Sequence, residues 1–183
     1  DSDGNGMEVA KGDVGKIYRL GCVVDQLQSK WSQKDVRHKE RYSLKKVAKR
    51  IRKKIKNLVQ DVHWKLIQFL CTNYEIILLP LFETQKMMLK KNRKIKSKTA
   101  RSLITWSHFT FRQRLLHKIR EYPHIKVKIV TEEFTSKTCG NCGTLNQTLG
   151  SKKIFICNQC NYKADRDLNA ARNILIKSLI ESH

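Results

Sequence analysis

Four cysteines in the last third of the chain have the spacing of a metal site. Cys139 and Cys142 form one Cys-x-x-Cys pair, and Cys157 and Cys160 form a second pair after 14 intervening residues. A short turn of this kind directs two thiolates at one ion, so two such turns can complete a tetrahedral four-thiolate zinc site. Four reduced cysteines on a hairpin are the alternative. Because four thiolates leave no open position for a substrate, we expect this zinc ion to be structural.

Carboxylates that could do chemistry stand close to these cysteines in the sequence. Asp165 and Asp167 lie in the first turn of a predicted final helix, where an acidic residue can also cap the helix or interact with its dipole. Glu83 follows an apolar run that ends at Pro80, and a glutamate in that position is often an ordinary surface residue. From the residues alone, capping and metal-ion chemistry both remain open.

The charge of the chain favours a polyanionic partner. Its 183 residues include 38 lysines and arginines against 16 acidic residues, which gives a formal net charge of +22. Nucleic acid is the leading partner for such a charge. Basic residues concentrate at 30–65 and at 86–101. The first segment could contact phosphates or form a solvated helix face, and the second contains no acidic residue. For the second segment we predict a mobile loop or one ordered by nucleic acid, with contacts from Lys94, Lys96, Lys98 and Arg101.

The sequence also indicates a cellular compartment. No apolar run approaches the ~20 residues that a membrane span requires, and no basic-then-apolar leader opens the sequence. We therefore expect a soluble, intracellular protein without a membrane partner, nuclear in a eukaryote and cytoplasmic otherwise. In a reducing compartment, closely paired cysteines are more often metal ligands than disulfide partners.

The predicted elements alternate between helices and strands. Apolar residues recur with helical spacing at 17–31 and, after the N-cap residue Ser43, at 44–69. A continuous apolar run at 74–80 predicts a strand buried on both faces. A helix at 103–122, a strand at 125–129, a ribbon strand at 152–156 and a helix at 165–179 follow. This order indicates an α/β layer.

Four stretches, in their order along the chain, resemble one family. They are the Leu-Leu-Pro and Phe-Glu-Thr motifs within 77–84, Lys-Thr-Ala-Arg with Trp-Ser-His at 98–108, Thr-Ser-Lys-Thr-Cys at 135–139, and Asp-Arg-Asp-Leu-Asn-Ala-Ala-Arg-Asn-Ile at 165–174. The family is that of the TnpB-type transposon-encoded RNA-guided DNA endonucleases. The first stretch is most similar to their eukaryotic relatives, the Fanzor proteins, and type V CRISPR effectors are more distant kin.

The resemblance implies a partial RNase H-like (RuvC-type) α/β fold with an inserted zinc ribbon. The implied boundaries are a nuclease core at 1–133, the ribbon at 134–164 and the last motif with its helix at 165–183. In this family an Asp, a Glu and an Asp hold two Mg²⁺ ions for DNA hydrolysis, and a guide RNA selects the target. By motif match, Glu83 and Asp167 are the second and third of these carboxylates, while Asp165 supports the site or caps the helix.

The sequence departs from the family pattern at one point. The first aspartate of the family lies on an opening strand, usually in an Asp-Pro-Gly stretch, and this sequence contains no such stretch. We therefore expect the chain to correspond to the C-terminal part of such a nuclease, to bind nucleic acid and to lack cleavage activity alone. A zinc-ribbon protein-interaction module is the alternative, but it accounts for neither the charge nor Glu83.

Overall fold

The computed structural model describes residues 1–82, 97–147, 150 and 153–180. The chain forms two compact units. The first consists of Asp1–Met7, Tyr74–Phe82 and Pro123–His183, and the second of Glu8–Asn73 and Glu83–Tyr122. The predicted boundaries at 133 and 164 follow sequence order, whereas this division brings the predicted strands, the cysteine segment and the final helix into one unit. The three-part division therefore stays a prediction.

Five α-helices and four short strands make up the described part of the chain. In chain order they are α1 (Lys11–Trp31), α2 (His38–Asn73), β1 (Ile76–Pro80), α3 (Ser97–Trp106), α4 (His108–Lys118), β2 (Lys126–Val130), β3 (Ile154–Ile156), β4 (Lys163–Asp165) and α5 (Arg166–Ile180). A single 3-10 turn, Ile119–Glu121, follows α4. Along the residues that the structure describes, no helix combines the length and the apolar character needed to cross a membrane.

The second unit is helical, and α1 packs against α2. Ile17 and Val24 of α1 and Val59 and Val62 of α2 are among the buried residues. Helix α2 begins at His38 rather than after Ser43 as predicted, because the residues from 38 to 43 are mostly good helix formers that carry no apolar periodicity. The rest of the predicted helix is confirmed.

The single helix predicted at 103–122 is wrong, because the structure breaks it at Ser107. This residue has a left-handed backbone (φ 45°, ψ 70°) and separates α3 from α4. A buried histidine of α2 fixes the break: His63 donates from Nε2 to the Trp106 carbonyl at 2.9 Å, and Arg114 donates to His63 Nδ1 at 3.0 Å. The same side chain therefore holds residues on both sides of the break.

The first unit contains a parallel strand pair, as the α/β prediction requires. β1 pairs with β2 in the register Ile77 to Val127, and α5 packs against β1. Ile77 is buried, but Ile76 is 58% exposed and the remaining residues of β1 are only partly buried. The prediction of a strand buried on both faces is therefore wrong for this structure. The described residues that pack against β1 leave most of its side chains partly exposed to solvent.

Candidate four-cysteine metal centre and neighbouring carboxylates

The two Cys-x-x-Cys segments form equivalent turns. Gly143 N–H donates to the Cys139 carbonyl at 2.9 Å, and Asn161 N–H donates to the Cys157 carbonyl at 3.1 Å. Both donors have positive φ, 75° for Gly143 and 56° for Asn161, and glycine and asparagine adopt this conformation at the lowest cost. Each turn thus places a residue that tolerates this conformation directly after its second cysteine.

The four sulfur atoms lie where one tetrahedral ion would hold them. Cys139 Sγ is 3.7 Å from Cys160 Sγ, Cys142 Sγ is 3.6 Å from Cys157 Sγ, and all four lie within 4.8 Å of one another. A tetrahedral site with metal–sulfur bonds of about 2.3 Å has sulfur–sulfur edges of roughly 3.8 Å (2.3 × 1.63). The cysteines are therefore close enough together to hold one metal ion.

The protein environment raises the pKa of one of these thiols and lowers the pKa of two others. Cys139 is only 1% exposed, and this burial raises the pKa of its thiol to about 11. Hydrogen bonds with Thr144 lower the pKa of Cys142 to about 6, and a backbone hydrogen bond from Tyr162 lowers the pKa of Cys160. A bound cation would offset the cost of ionising the buried thiol, since metal ligation deprotonates cysteine.

A small apolar cluster supports the centre. β3 pairs with β4 in antiparallel register, and Phe155 of β3 is fully buried against Cys139 and Cys157. Tyr162 packs against the same cluster. The ribbon strand predicted at 152–156 is present as Ile154–Ile156. This cluster is small, so a bound metal would add much of the folding energy of the segment.

The two neighbouring aspartates have different roles in the structure. Asp165 Oδ1 accepts hydrogen bonds from the Asp167 amide at 2.8 Å and from the Leu168 amide at 3.2 Å, so Asp165 caps α5. The side chain of Asp167 is 85% exposed, and its Oδ1 lies 3.3 Å from Arg166 Nε. The capping alternative is therefore confirmed for Asp165, while the Asp167 carboxylate stays open to solvent.

Two asparagines that the sequence reasoning did not single out join α5 to the first cysteine turn. Asn169 is 1% exposed; its Oδ1 accepts the Gly140 amide at 2.9 Å, and its Nδ2 donates to the Thr138 carbonyl at 2.7 Å. Asn173 donates to the carbonyls of Thr135 at 2.8 Å and Thr138 at 2.7 Å. We call Asn169 and Asn173 the asparagine pair.

A sequence signal for the asparagine pair exists. Asparagine is a poor helix former, yet two asparagines stand four residues apart, on one face of a predicted helix. The backbone partner is constrained too: a Cβ at Gly140 would lie 2.9 Å from Asn169 Oδ1 and 3.3 Å from Arg172 Cδ. Glycine at this position thus permits the turn to approach the helix.

The structure describes only some of the remaining predicted site residues. Glu83, Lys94 and Lys96 lie outside the described residues, so the roles assigned to them stay predictions. Lys98 and Arg101 are exposed residues of α3. Among the residues with described positions, the four cysteines form the one group of three or more His, Cys, Asp or Glu side chains that could hold a metal ion.

Comparisons with known proteins give the family. The model of the Cas12f1-like, TNB domain matches residues 108–174, which include all four cysteines and Asp167. The chain is 44% identical over 131 residues to a putative transposase of Paramecium bursaria Chlorella virus 1, covering 72% of this chain and 29% of the relative. It is 33% identical over 169 residues to a TnpB-like protein of Acanthamoeba polyphaga mimivirus, covering 92% and 31%.

A structural comparison agrees with the sequence matches. The chain is similar to a cryo-EM structure of a Cas12f1–sgRNA–target DNA complex, with a TM-score of 0.57 and 23% identity over 87% of this chain and 41% of the matched chain. The two share a fold over that region. The chain spans 29% and 31% of the lengths of the two viral relatives. Since its similarity to a TnpB-like protein extends over 92% of its length, the chain belongs to the TnpB-type family.

Proposed function

We propose that this chain is the nucleic-acid-binding part of a TnpB-type RNA-guided DNA endonuclease, with a partial RNase H-like (RuvC-type) core and a structural zinc ribbon. One observation carries the proposal. The four-cysteine centre is joined by hydrogen bonds of the asparagine pair to the helix whose first turn presents the exposed Asp167. DNA and, in the complete protein, a guide RNA are the proposed partners.

The four-cysteine centre and the carboxylates offer different donor atoms, which favour different metals. Four thiolates at tetrahedral spacing suit zinc, which is the ion we assign to Cys139, Cys142, Cys157 and Cys160. Carboxylate oxygens suit Mg²⁺, and we assign that ion to Asp167 and Glu83. When held by such carboxylates, Mg²⁺ stabilises charge on a phosphodiester and makes a bound water more acidic. Because the donors differ, both metals can be present without exchange.

The motif match is the basis of this assignment. Asp167 lies in the first turn of α5, which packs against β1, and Glu83 follows β1 by three residues in the sequence. The resemblance implies three carboxylates, of which this sequence supplies two. We therefore propose that the 183-residue chain alone does not cleave DNA and that its own contribution is to bind nucleic acid.

The basic face of α2 is the proposed phosphate-binding surface. Helix α2 has 36 residues and is therefore ~54 Å long at 1.5 Å per residue. Its exposed lysines and arginines offer phosphate contacts without evident base readers, which predicts salt-sensitive binding with weak sequence selectivity. The exposed basic residues of its central part are Lys45, Lys46, Lys49, Arg50, Arg52, Lys53, Lys54 and Lys56.

Fluorescence anisotropy with labelled oligonucleotides tests the binding proposal. The variant Lys46→Gln/Lys49→Gln/Lys53→Gln should bind more weakly at low salt and lose affinity less steeply as salt rises, because fewer counterions are released. A second triple variant, with Lys126, Lys137 and Lys163 changed to glutamine, has the same net charge and leaves α2 intact. Equal losses in both variants, or a flat salt dependence of the unaltered chain, would contradict the proposed surface.

A cleavage assay tests the inactivity of the chain alone. We expect no product when the chain is incubated with single-stranded DNA and Mg²⁺ or Mn²⁺. Cleavage that disappears in both Glu83→Ala and Asp167→Ala would overturn this expectation and would show that two carboxylates suffice. An extended chain with a family-like opening strand is the positive control.

A further inference from the structure

Helices α1, α2 and α3 enclose a crevice of about 380 Å³ inside the second compact unit. Its lining is largely apolar and includes Ile17, Ile55 and two aromatic side chains, Tyr18 and Trp106. Binding sites for small molecules typically have this size and are lined by apolar and aromatic groups with a few polar ones. The crevice therefore has the dimensions and the lining of a ligand site.

Cationic side chains from α3 line the same crevice. Lys98 Nζ lies 4.3 Å from the centroid of the Tyr18 ring, which holds the ammonium group beside the crevice by a cation–π contact. Arg101, which also lines the crevice, forms an ion pair with Asp25. Two cations and one carboxylate leave this part of the crevice positively charged. A ligand with both a flat apolar part and an anionic group would match it.

One glycine leaves space at the crevice. Gly15 of α1 lines it, and a Cβ at this position would meet no described atom within 4 Å. Glycine inside a helix costs about 1 kcal/mol relative to alanine, and close packing by the described residues does not account for this one. The room above Gly15 is thus available to a ligand.

We infer that this crevice binds one unpaired nucleotide of a nucleic acid strand, with the base among the apolar and aromatic side chains and the phosphate at Lys98. The inference rests on the proposed function, because it takes nucleic acid as the partner. Bases in a duplex are stacked and cannot enter such a crevice, whereas unpaired bases bind to aromatic side chains in single-strand-binding proteins. The net charge of +22 favours this ligand over an apolar protein segment.

Filling the crevice without a change of charge gives the sharpest test. Gly15→Met places a side chain in the open space, and Gly12→Met is the matched control, because Gly12 lies on the same helix, has equally open surroundings and does not line the crevice. The probes are labelled oligo-dT and oligo-rU strands and a duplex of the same length. We expect Gly15→Met to weaken single-strand binding about tenfold and to leave duplex binding unchanged. Gly12→Met should bind all three as the unaltered chain does.

The outcomes separate this inference from the function on which it rests. If Gly15→Met binds both single strands as tightly as Gly12→Met, the crevice is not a nucleotide site, although the basic face of α2 can still bind duplex. If the unaltered chain binds none of the probes, the proposed function and the inference both fail. A larger loss with oligo-dT than with oligo-rU would identify DNA as the source of the nucleotide, and the reverse would identify RNA.

A second measurement on the unaltered chain does not depend on the folding of a variant. A photoreactive 4-thiouridine or 4-thiothymidine strand should cross-link to peptides that contain Tyr18 or Trp106. Cross-links confined to the basic residues of α2 or to the cysteine segment would overturn the inference.

Discussion

Replacing Asn169 by alanine should loosen the attachment of the first cysteine turn to α5 without removing a metal ligand. The substitution deletes the acceptor of the Gly140 amide and one donor to the Thr138 carbonyl. Thr138 keeps its second hydrogen bond, which Asn173 donates at 2.7 Å. The group left without a partner from this side chain is therefore the Gly140 amide.

The expected loss of stability follows from the loss of the hydrogen bond that the Gly140 amide donates. A buried donor without a partner costs about 1–3 kcal/mol, and the atoms removed from a side chain that is 1% exposed leave a small cavity that adds to it. Since the bond to Gly140 is only partly buried, we expect a total of about 2 kcal/mol. If this energy governs the local opening of the turn, the Gly140 amide should exchange with solvent about 30-fold faster.

Amide hydrogen exchange followed by NMR measures this effect at the residue concerned. Asn158→Ala is the matched control, because Asn158 is an exposed asparagine in the second cysteine turn. Zinc content should be equal in both variants, since every cysteine is retained. The fluorescence of Trp31, Trp64 and Trp106 reports on the second unit and should also be equal. If Gly140 exchanges at the same rate in both variants, the asparagine pair does not hold the turn and our reasoning is refuted.

Three other perturbations have defined outcomes. Cys157→Ser should lower the zinc content measured by elemental analysis and unfold the ribbon, whereas Cys22→Ser should retain the metal; unchanged stoichiometry in Cys157→Ser would exclude the assigned site. Gly140→Ala should speed amide exchange as strongly as the Asn169 variant, because its Cβ would lie 2.9 Å from Asn169 Oδ1. Burial lowers the pKa of His63 from its usual 6.5, so the unfolded state binds more protons and the stability of the protein falls as the pH drops below 6.5. In thermal melts between pH 7 and 5, the melting temperature of His63→Gln should fall less than that of the unaltered chain. An equal fall would exclude His63 as the cause.

The predictions that the structure confirms depend on local spacing. The turns of the two cysteine pairs and the cap at Asp165 are each fixed by contacts within a few residues. Side-chain chemistry and the geometry of a turn are sufficient to read such features from a sequence. The strand, helix, strand order was predictable for a similar reason, because periodicity is a property of short windows.

The features that were missed depend on contacts between distant residues. The break at Ser107 interrupts a sequence that is compatible with a continuous helix, and it is fixed by His63, which is 43 residues from its partner Trp106. The asparagine pair likewise joins residues that are 29 to 38 positions apart. Helical periodicity carries no information about such partners, so tertiary contacts overrode it.

The separation of paired residues along the chain has a consequence for the order of folding. β1 and β2 pair Ile76 with Lys126, 50 residues later, whereas the sulfur contacts of Cys142 with Cys157 and of Cys139 with Cys160 join residues only 15 and 21 positions apart. Closing a longer loop costs more entropy and is slower, so the cysteine segment should close before the parallel strands meet. Zinc capture would then be an early step, and it would give the asparagine pair a formed surface on which to dock. A chain synthesised without zinc would therefore have to assemble its strands while the helix that carries Asp167 still lacked this surface.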